Sequence, residues 1–205
     1  MSTFWGAEEL ETLLGEGIHT GLTEDDRTVT PRATTIQRGD LFRLGPHRLL
    51  CGDATDPADV ARLLDGATPR LMVTDPAYGV RYDPAWRHRR APRQRTAVGR
   101  VTNDDRADWT AAYQLFGGDV VYAWHAGVFA ATVAASLEAA GFAIRSQVIW
   151  SKQHFAMSRG HYHWAHEPCW YAVRQGRPSR WRGDRTQSTV WAVPNLNPLG
   201  GDRNG

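Results

Sequence analysis

A chain of 205 residues with 41% hydrophobic content is long enough to bury one core, while a formal charge of +2 is too small to announce a nucleic-acid partner by itself. Two widely separated cysteines, Cys51 and Cys169, exclude a disulfide framework and a cysteine-based metal spacing. Without an apolar run of about 18 residues or a secretory leader, the pattern predicts neither membrane insertion nor export, and a cytoplasmic, reducing location is expected.

In chain order, Leu10, Leu13 and Leu14 among Glu8, Glu9 and Glu11 predict a short acidic helix ended by Gly15 and Gly17. From Glu16 to Arg38 the text is polar, rich in Thr and aperiodic, which reads as a linker, so the folded domain is expected to begin near Gly39. His47 to Gly52 and Arg70 to Asp75 are short apolar runs, and between them Asp56-Pro57 opens a helical stretch through Val60, Leu63 and Leu64. That reads as strand, helix, strand. A helix from Asp108 to Phe116 and a buried strand from Asp119 to Trp124 follow. Phe129, Val133 and Leu137 mark one face of a further helix closed by Gly141, and Ala143 to Trp150 and His166 to Val173 are two more strands. The alternation predicts an open, mostly parallel α/β sheet with ligands beyond the carboxyl ends of its strands.

The segment Val73-Thr74-Asp75-Pro76-Ala77-Tyr78-Gly79 places an acid, a rigid turn and an aromatic ring at such an end. An exocyclic base amine is a poor nucleophile because its lone pair is delocalised into the ring. Acceptors that hold its hydrogens favour a pyramidal nitrogen, and the Asp75 carboxylate and Pro76 carbonyl would supply two. Tyr78 would stack on a base rotated out of the duplex. The competing account is an ordinary Asp-Pro turn after a strand.

The surrounding motifs bear on that choice. Gly39-Asp40-Leu41, His47-Arg48-Leu49-Leu50-Cys51-Gly52-Asp53, the Asp-Pro-Ala-Tyr turn, Trp124-His125-Ala126 and Ile149-Trp150-Ser151-Lys152 occur in this order. They are followed by Gly160-His161-Tyr162-His163-Trp164, His166-Glu167-Pro168-Cys169-Trp170 and Ser188-Thr189-Val190-Trp191. From about Gly39 to Asn197 the chain resembles the amino-directed DNA methyltransferases whose catalytic turn precedes the donor-binding motif, in the branch often fused to a ParB-like domain. The resemblance implies a Rossmann-like class I methyltransferase sheet over residues 39–197, set between the helix and linker of residues 1–38 and a tail of residues 198–205. It implies methyl transfer from S-adenosylmethionine to double-stranded DNA, with Asp75, Pro76 and Tyr78 catalytic and Asp53 and Asp75 at the donor. The family usually has a second proline where Ala77 stands, so the turn should be less rigid here. With Asp75 as the first residue of the motif, where a Ser is the other possibility, the resemblance implies adenine N6 over cytosine N4. Asp53 read alone is equally a strand-to-helix turn, and Asp53 or Asp56 a helix cap.

Residues 81 to 100 hold seven arginines against one acid, Asp83. Arg81, Arg87, Arg89, Arg90, Arg93 and Arg95 are candidate phosphate contacts, and Arg180, Arg182 and Arg185 are candidate DNA contacts near a stretch where basic and aromatic residues alternate in a way that suits target recognition. A solvated charge run accounts for the arginines of residues 81 to 100 as well, and core packing for the tryptophans of the later stretch. His154, His161, His163, His166 and Glu167 lie close in sequence but show no paired ligand spacing, and no metal is expected. A strand leading into a glycine-rich turn for the donor is not found: Gly117-Gly118 precedes a strand, and Leu199-Gly200-Gly201-Asp202 follows none. The expectation is therefore an incomplete, C-terminally truncated enzyme, inactive until a downstream segment or a second chain supplies that motif. The alternative is a non-catalytic DNA-binding remnant that keeps the base pocket.

Overall fold

The computed structural model describes residues 34–82, 101–156 and 161–193, leaving aside the side chains of His154 and Ala156. These fall into two compact units, one of residues 34–150 with 167–191 and the other of residues 151–166 with 192–193. In the smaller unit, Phe155 stacks on His163 at 4.9 Å and Trp164 meets His166 edge-on at 5.3 Å.

Leu41–Leu44 (β1) and His47–Leu50 (β2) form an antiparallel hairpin with Leu41 opposite Leu50 and Leu44 opposite His47. Gly45, at φ +60, makes the tight reversal between them. The strand expected at His47 to Gly52 therefore pairs with its immediate neighbour and not with the Arg70 to Asp75 strand. A two-residue turn makes local pairing available before any crossover can form, and the predicted strand-helix-strand unit does not exist within one sheet.

Pro57–Leu64 (α1) begins as the sequence predicts: Asp56 accepts the N–H of Ala58 at 2.8 Å and Pro57 occupies the first turn, where its missing N–H costs nothing. It ends at Asp65 in the left-handed conformation, held by Arg48 at 2.6 Å.

The main sheet contains Leu71–Thr74 (β3), Val120–Trp124 (β4), Phe142–Ala156 (β5), Trp164–Arg174 (β6) and Val190–Ala192 (β7), in the order β3-β4-β6-β5-β7. β3 and β4 are parallel, with Leu71 beside Val120 and Thr74 beside Ala123, whereas β4 and β6 are antiparallel, with Val120 opposite Val173 and Trp124 opposite Cys169. The fold is α/β, as expected, but its sheet is mixed where a mostly parallel one was predicted. The connection from β5 to β6 is too short for the dozen or more residues of a parallel crossover, so a strand reversal enters the sheet there.

Thr110–Leu115 (α2) and Ala130–Ala139 (α3), the latter preceded by a 3₁₀ turn at Gly127–Phe129, cover one face of this sheet. Alternation along β4 sends Val121 and Ala123 into that layer, where they meet Tyr113, Phe116, Leu137 and Phe142. Phe116 stacks on Phe142 at 6.1 Å, and the Arg174 guanidinium lies 4.3 Å over the Phe142 ring while donating to the carbonyls of Gly118 and Phe116. The opposite face carries Tyr122 and Tyr171, ring to ring at 4.9 Å, and Trp124 edge-on to Trp150 and Trp191 at 6.4 Å each. Toward β3 this face opens to solvent: Leu71 is 50% and Val73 63% exposed. β3 is one of the two edge strands of the sheet among the described residues.

Candidate functional site

β3 ends at Thr74, so Asp75, Pro76, Ala77 and Tyr78 project beyond its carboxyl end, the position at which open α/β sheets bind their ligands. Asp75 is exposed, and Pro76, Ala77 and Tyr78 are half-buried.

Three other parts of the chain hold this turn. The indole Nε1–H of Trp109, just before α2, donates to the Ala77 carbonyl at 3.0 Å. The Tyr78 hydroxyl donates to Glu167 Oε2 on β6 at 3.3 Å. Asp104, 6% exposed, receives the loop that follows: its carboxylate accepts from the N–H groups of Gly79 at 2.8 Å, Val80 at 3.2 Å and Tyr82 at 2.6 Å. Its main-chain carbonyl takes the remaining N–H, that of Arg81, at 2.9 Å. Gly79 at φ +78 and Arg81 at φ +51 give the alternating backbone that turns successive N–H groups toward one anion. Gly79 also permits close approach, since a Cβ there would lie 2.7 Å from the Arg106 carbonyl carbon.

The Tyr78 phenol is pushed well above its ordinary range, first by burial and then by the Asp75 and Glu167 carboxylates beside its hydroxyl. It is a neutral hydrogen-bond donor. Cys169, two residues from Glu167 and fully buried, is pushed up to about 12 by burial and by the charge of Asp75, so it stays a thiol. His125 follows β4 and sets the level of this part of β6: its backbone N–H donates to the Pro168 carbonyl at 3.1 Å and its ring stacks on Trp170 at 5.4 Å. Burial lowers its imidazole pKa, and the Ala126 carbonyl lies 3.0 Å from Nδ1.

Beside the turn, a cleft of about 660 Å³ separates α1 from α2, with an apolar lining that includes Leu63, Met72, Trp109 and Tyr113 and with Asp53 and Pro76 also on its wall. The size falls within the usual range of small-ligand sites. Asp53 Oδ1 accepts from the Thr55 N–H at 2.8 Å and hydroxyl at 2.7 Å, bonds that hold its carboxyl below the usual range. Its own N–H donates to Asp59 of α1 at 2.8 Å. The local turn anticipated for Asp53 is present, and it places the residue on the same cleft as Pro76.

Of the predicted arginines, Arg81, Arg180, Arg182 and Arg185 fall among the described residues. Arg87, Arg89, Arg90, Arg93 and Arg95 lie outside the described residues. Arg81 lends its backbone to the Asp104 nest and exposes its side chain. Arg180 and Arg182 line a second groove of about 580 Å³ with Arg70, Tyr122, Tyr171 and Trp181, at the end of β3 and β4 opposite Asp75. Arg180 is paired there with Asp119 at 3.4 Å. Arg185 is exposed, in a segment organised by Asp184, which accepts from Thr186 and Gln187. Among the described residues no cluster of three His, Cys, Asp or Glu is placed to hold a metal ion.

The sequence does not single out Asp104, Trp109 or Glu167 as parts of the turn. Asp104 and Trp109 are separated from it by more than twenty residues, and only the pairing of β4 with β6 carries Glu167 to it.

No protein-family model matches the chain, and no curated protein matches it. Among solved structures it is similar to the M1.HpyAVI–SAM complex, at 16% identity and a TM-score of 0.42 over 70% of this chain and 61% of that one. It is also similar to M1.HpyAVI, at 16% identity and a TM-score of 0.41 over 68% and 61%. The chain thus spans less than two thirds of the length of either.

Proposed function

We propose that this chain carries the base-methylating site of an S-adenosylmethionine-dependent DNA methyltransferase directed at an exocyclic amine, with adenine N6 favoured over cytosine N4. The observation that carries this reading is the turn Asp75 to Tyr78 at the carboxyl end of β3, clamped from three sides and bordered by a cleft of about 660 Å³.

The Asp75 carboxylate and the Pro76 carbonyl accept the two amine hydrogens of an extruded base, which drives the nitrogen toward a pyramidal form with an available lone pair. Tyr78 offers its ring to the face of the base. S-Adenosylmethionine, when bound, supplies a methyl carbon on a sulfonium centre. With it bound, the methyl would pass from sulfur to nitrogen while the electron pair of the broken bond stays on sulfur, and the Asp75 carboxylate would take the proton that the nitrogen releases. The cleft suits that donor: its apolar walls take a flat ring, and Asp53 at its edge presents a carboxylate to an amine. Cys169 takes no part, because a thiol pushed up to about 12 is no nucleophile at neutral pH.

Calorimetric titration with S-adenosylmethionine, beside transfer of labelled methyl groups to an adenine-containing duplex, tests the reading. Donor binding that weakens in Asp53→Ala, with transfer that disappears in Asp75→Ala, supports it. Donor binding indifferent to Asp53, with transfer indifferent to Asp75, refutes it.

A further inference from the structure

The Tyr78 hydroxyl has one proton and two carboxylates beside it, those of Glu167 and Asp75. The recipient matters. On the reading above, Asp75 must keep its lone pairs for the amine of the base, and a phenol proton donated to Asp75 would compete with that amine for the same oxygens. In the structure the hydroxyl donates to Glu167 Oε2 at 3.3 Å, and the Asp75 carboxylate engages it as well, so the two acids share the phenol. Glu167 is held from the far side of the site: the next residue, Pro168, gives its carbonyl to the His125 N–H at 3.1 Å, and Cys169 stands opposite Trp124 in the β4–β6 register. Its carboxylate is thus delivered by a different strand from the one that delivers Asp75.

We propose that Glu167 is a positioning residue that offers the Tyr78 hydroxyl a second acceptor, so that the phenol turns to Glu167 when the base amine takes the Asp75 carboxylate, and that fixes the plane of the Tyr78 ring. This rests on the methyl-transfer reading. It assigns to the His166-Glu167-Pro168 segment neither metal binding nor a direct part in the reaction. Removing Glu167 leaves the phenol proton with Asp75 alone, so the damage is done by Tyr78, and removing the Tyr78 hydroxyl as well repairs it.

The experiment measures methyl transfer to an adenine-containing duplex by the full-length protein, by Glu167→Ala, and by Glu167→Ala combined with Tyr78→Phe. Glu167→Ala is expected to lower kcat about tenfold, the worth of one hydrogen bond, with a smaller change in KM for DNA. Tyr78→Phe in that background is expected to restore most of the loss, since phenylalanine keeps the stacking ring and has no proton to give. A merely structural Glu167 would show no such rescue. A kcat unchanged in Glu167→Ala, or a loss that Tyr78→Phe deepens, overturns the proposal.

The carbon-13 NMR signal of the ring carbon bearing the Tyr78 hydroxyl, assigned by its absence in Tyr78→Phe, gives a readout independent of turnover. It is expected to move in Glu167→Ala, and an unmoved signal overturns the contact itself. Absence of transfer in the wild-type protein would instead remove the methyltransferase reading, while this signal still decides which group holds the hydroxyl.

Discussion

The N–H of Gly79 donates to the buried carboxylate of Asp104 at 2.8 Å, and through that contact a residue 25 positions away fixes the exit of the Asp75 to Tyr78 turn. The N–H groups of Val80 and Tyr82 share the same carboxylate. Asp104→Ala removes the acceptor of three donors in a largely exposed loop and is expected to lower stability by about 3 kcal/mol, since each hydrogen bond to a charged group contributes about 1.5–3 kcal/mol and water recovers part of the loss. Urea unfolding measures the change, and a loss below about 1 kcal/mol would show that the loop does not depend on this anion.

Trp109 and the Ala77 carbonyl form the second clamp, at 3.0 Å. Trp109→Phe keeps an aromatic ring in the α2 layer but removes the N–H. The expected outcome is a stability loss of about 1 kcal/mol together with a fall in kcat larger than any change in KM. An unaltered kcat would separate the carbonyl's orientation from the chemistry.

Much of this was legible in the sequence, and the failures have physical causes. Asp56-Pro57 and the four-residue spacing of Val133 and Leu137 identify α1 and α3 because caps and helical periods are local properties. The strand before Asp75 is equally clear from its apolar run. What local pattern cannot convey is partnership: β2 has the composition of a sheet strand and yet pairs with β1, and the reversal that makes the sheet mixed is set by the length of a connection. The same holds at the site. Asp75, Pro76 and Tyr78 announce themselves as a contiguous motif, whereas Asp104, Trp109 and Glu167 become members only through tertiary contacts.

Gly118 and Gly79 occupy positions where a methyl group has no room. A Cβ at Gly118 would lie 2.3 Å from both the Phe116 ring and the Pro69 carbonyl, and one at Gly79 would meet the Arg106 backbone at positive φ. Each alanine substitution is expected to cost about 1–3 kcal/mol. Gly118→Ala should unsettle the packing at the amino end of β4, while Gly79→Ala should also depress activity because it moves the turn. Equal effects of both on activity at matched stability would argue against a special role for the turn.

Stability is expected to fall in alkaline solution through groups buried in their neutral forms. Cys169 is raised from an ordinary 9.0 to about 12. Below pH 9.0 the folded and unfolded states both hold its proton, and between 9.0 and about 12 only the folded state does, so rising pH favours unfolding across that window. Tyr113 and Tyr78, raised chiefly by burial, act in the same direction. Urea midpoints followed through this range should decline, and Cys169→Ala should flatten the decline. An identical slope in the variant would show that the thiol is not the responsible group.

The most direct measurement of the central claim is transfer of labelled methyl groups from S-adenosylmethionine to an adenine-containing duplex by the full-length protein and by Asp75→Ala, with DNA binding recorded on the same samples. The predicted result is near-complete loss of transfer in the variant while DNA binding is largely kept. Undiminished transfer by Asp75→Ala would contradict the assignment of this turn as the site of methylation.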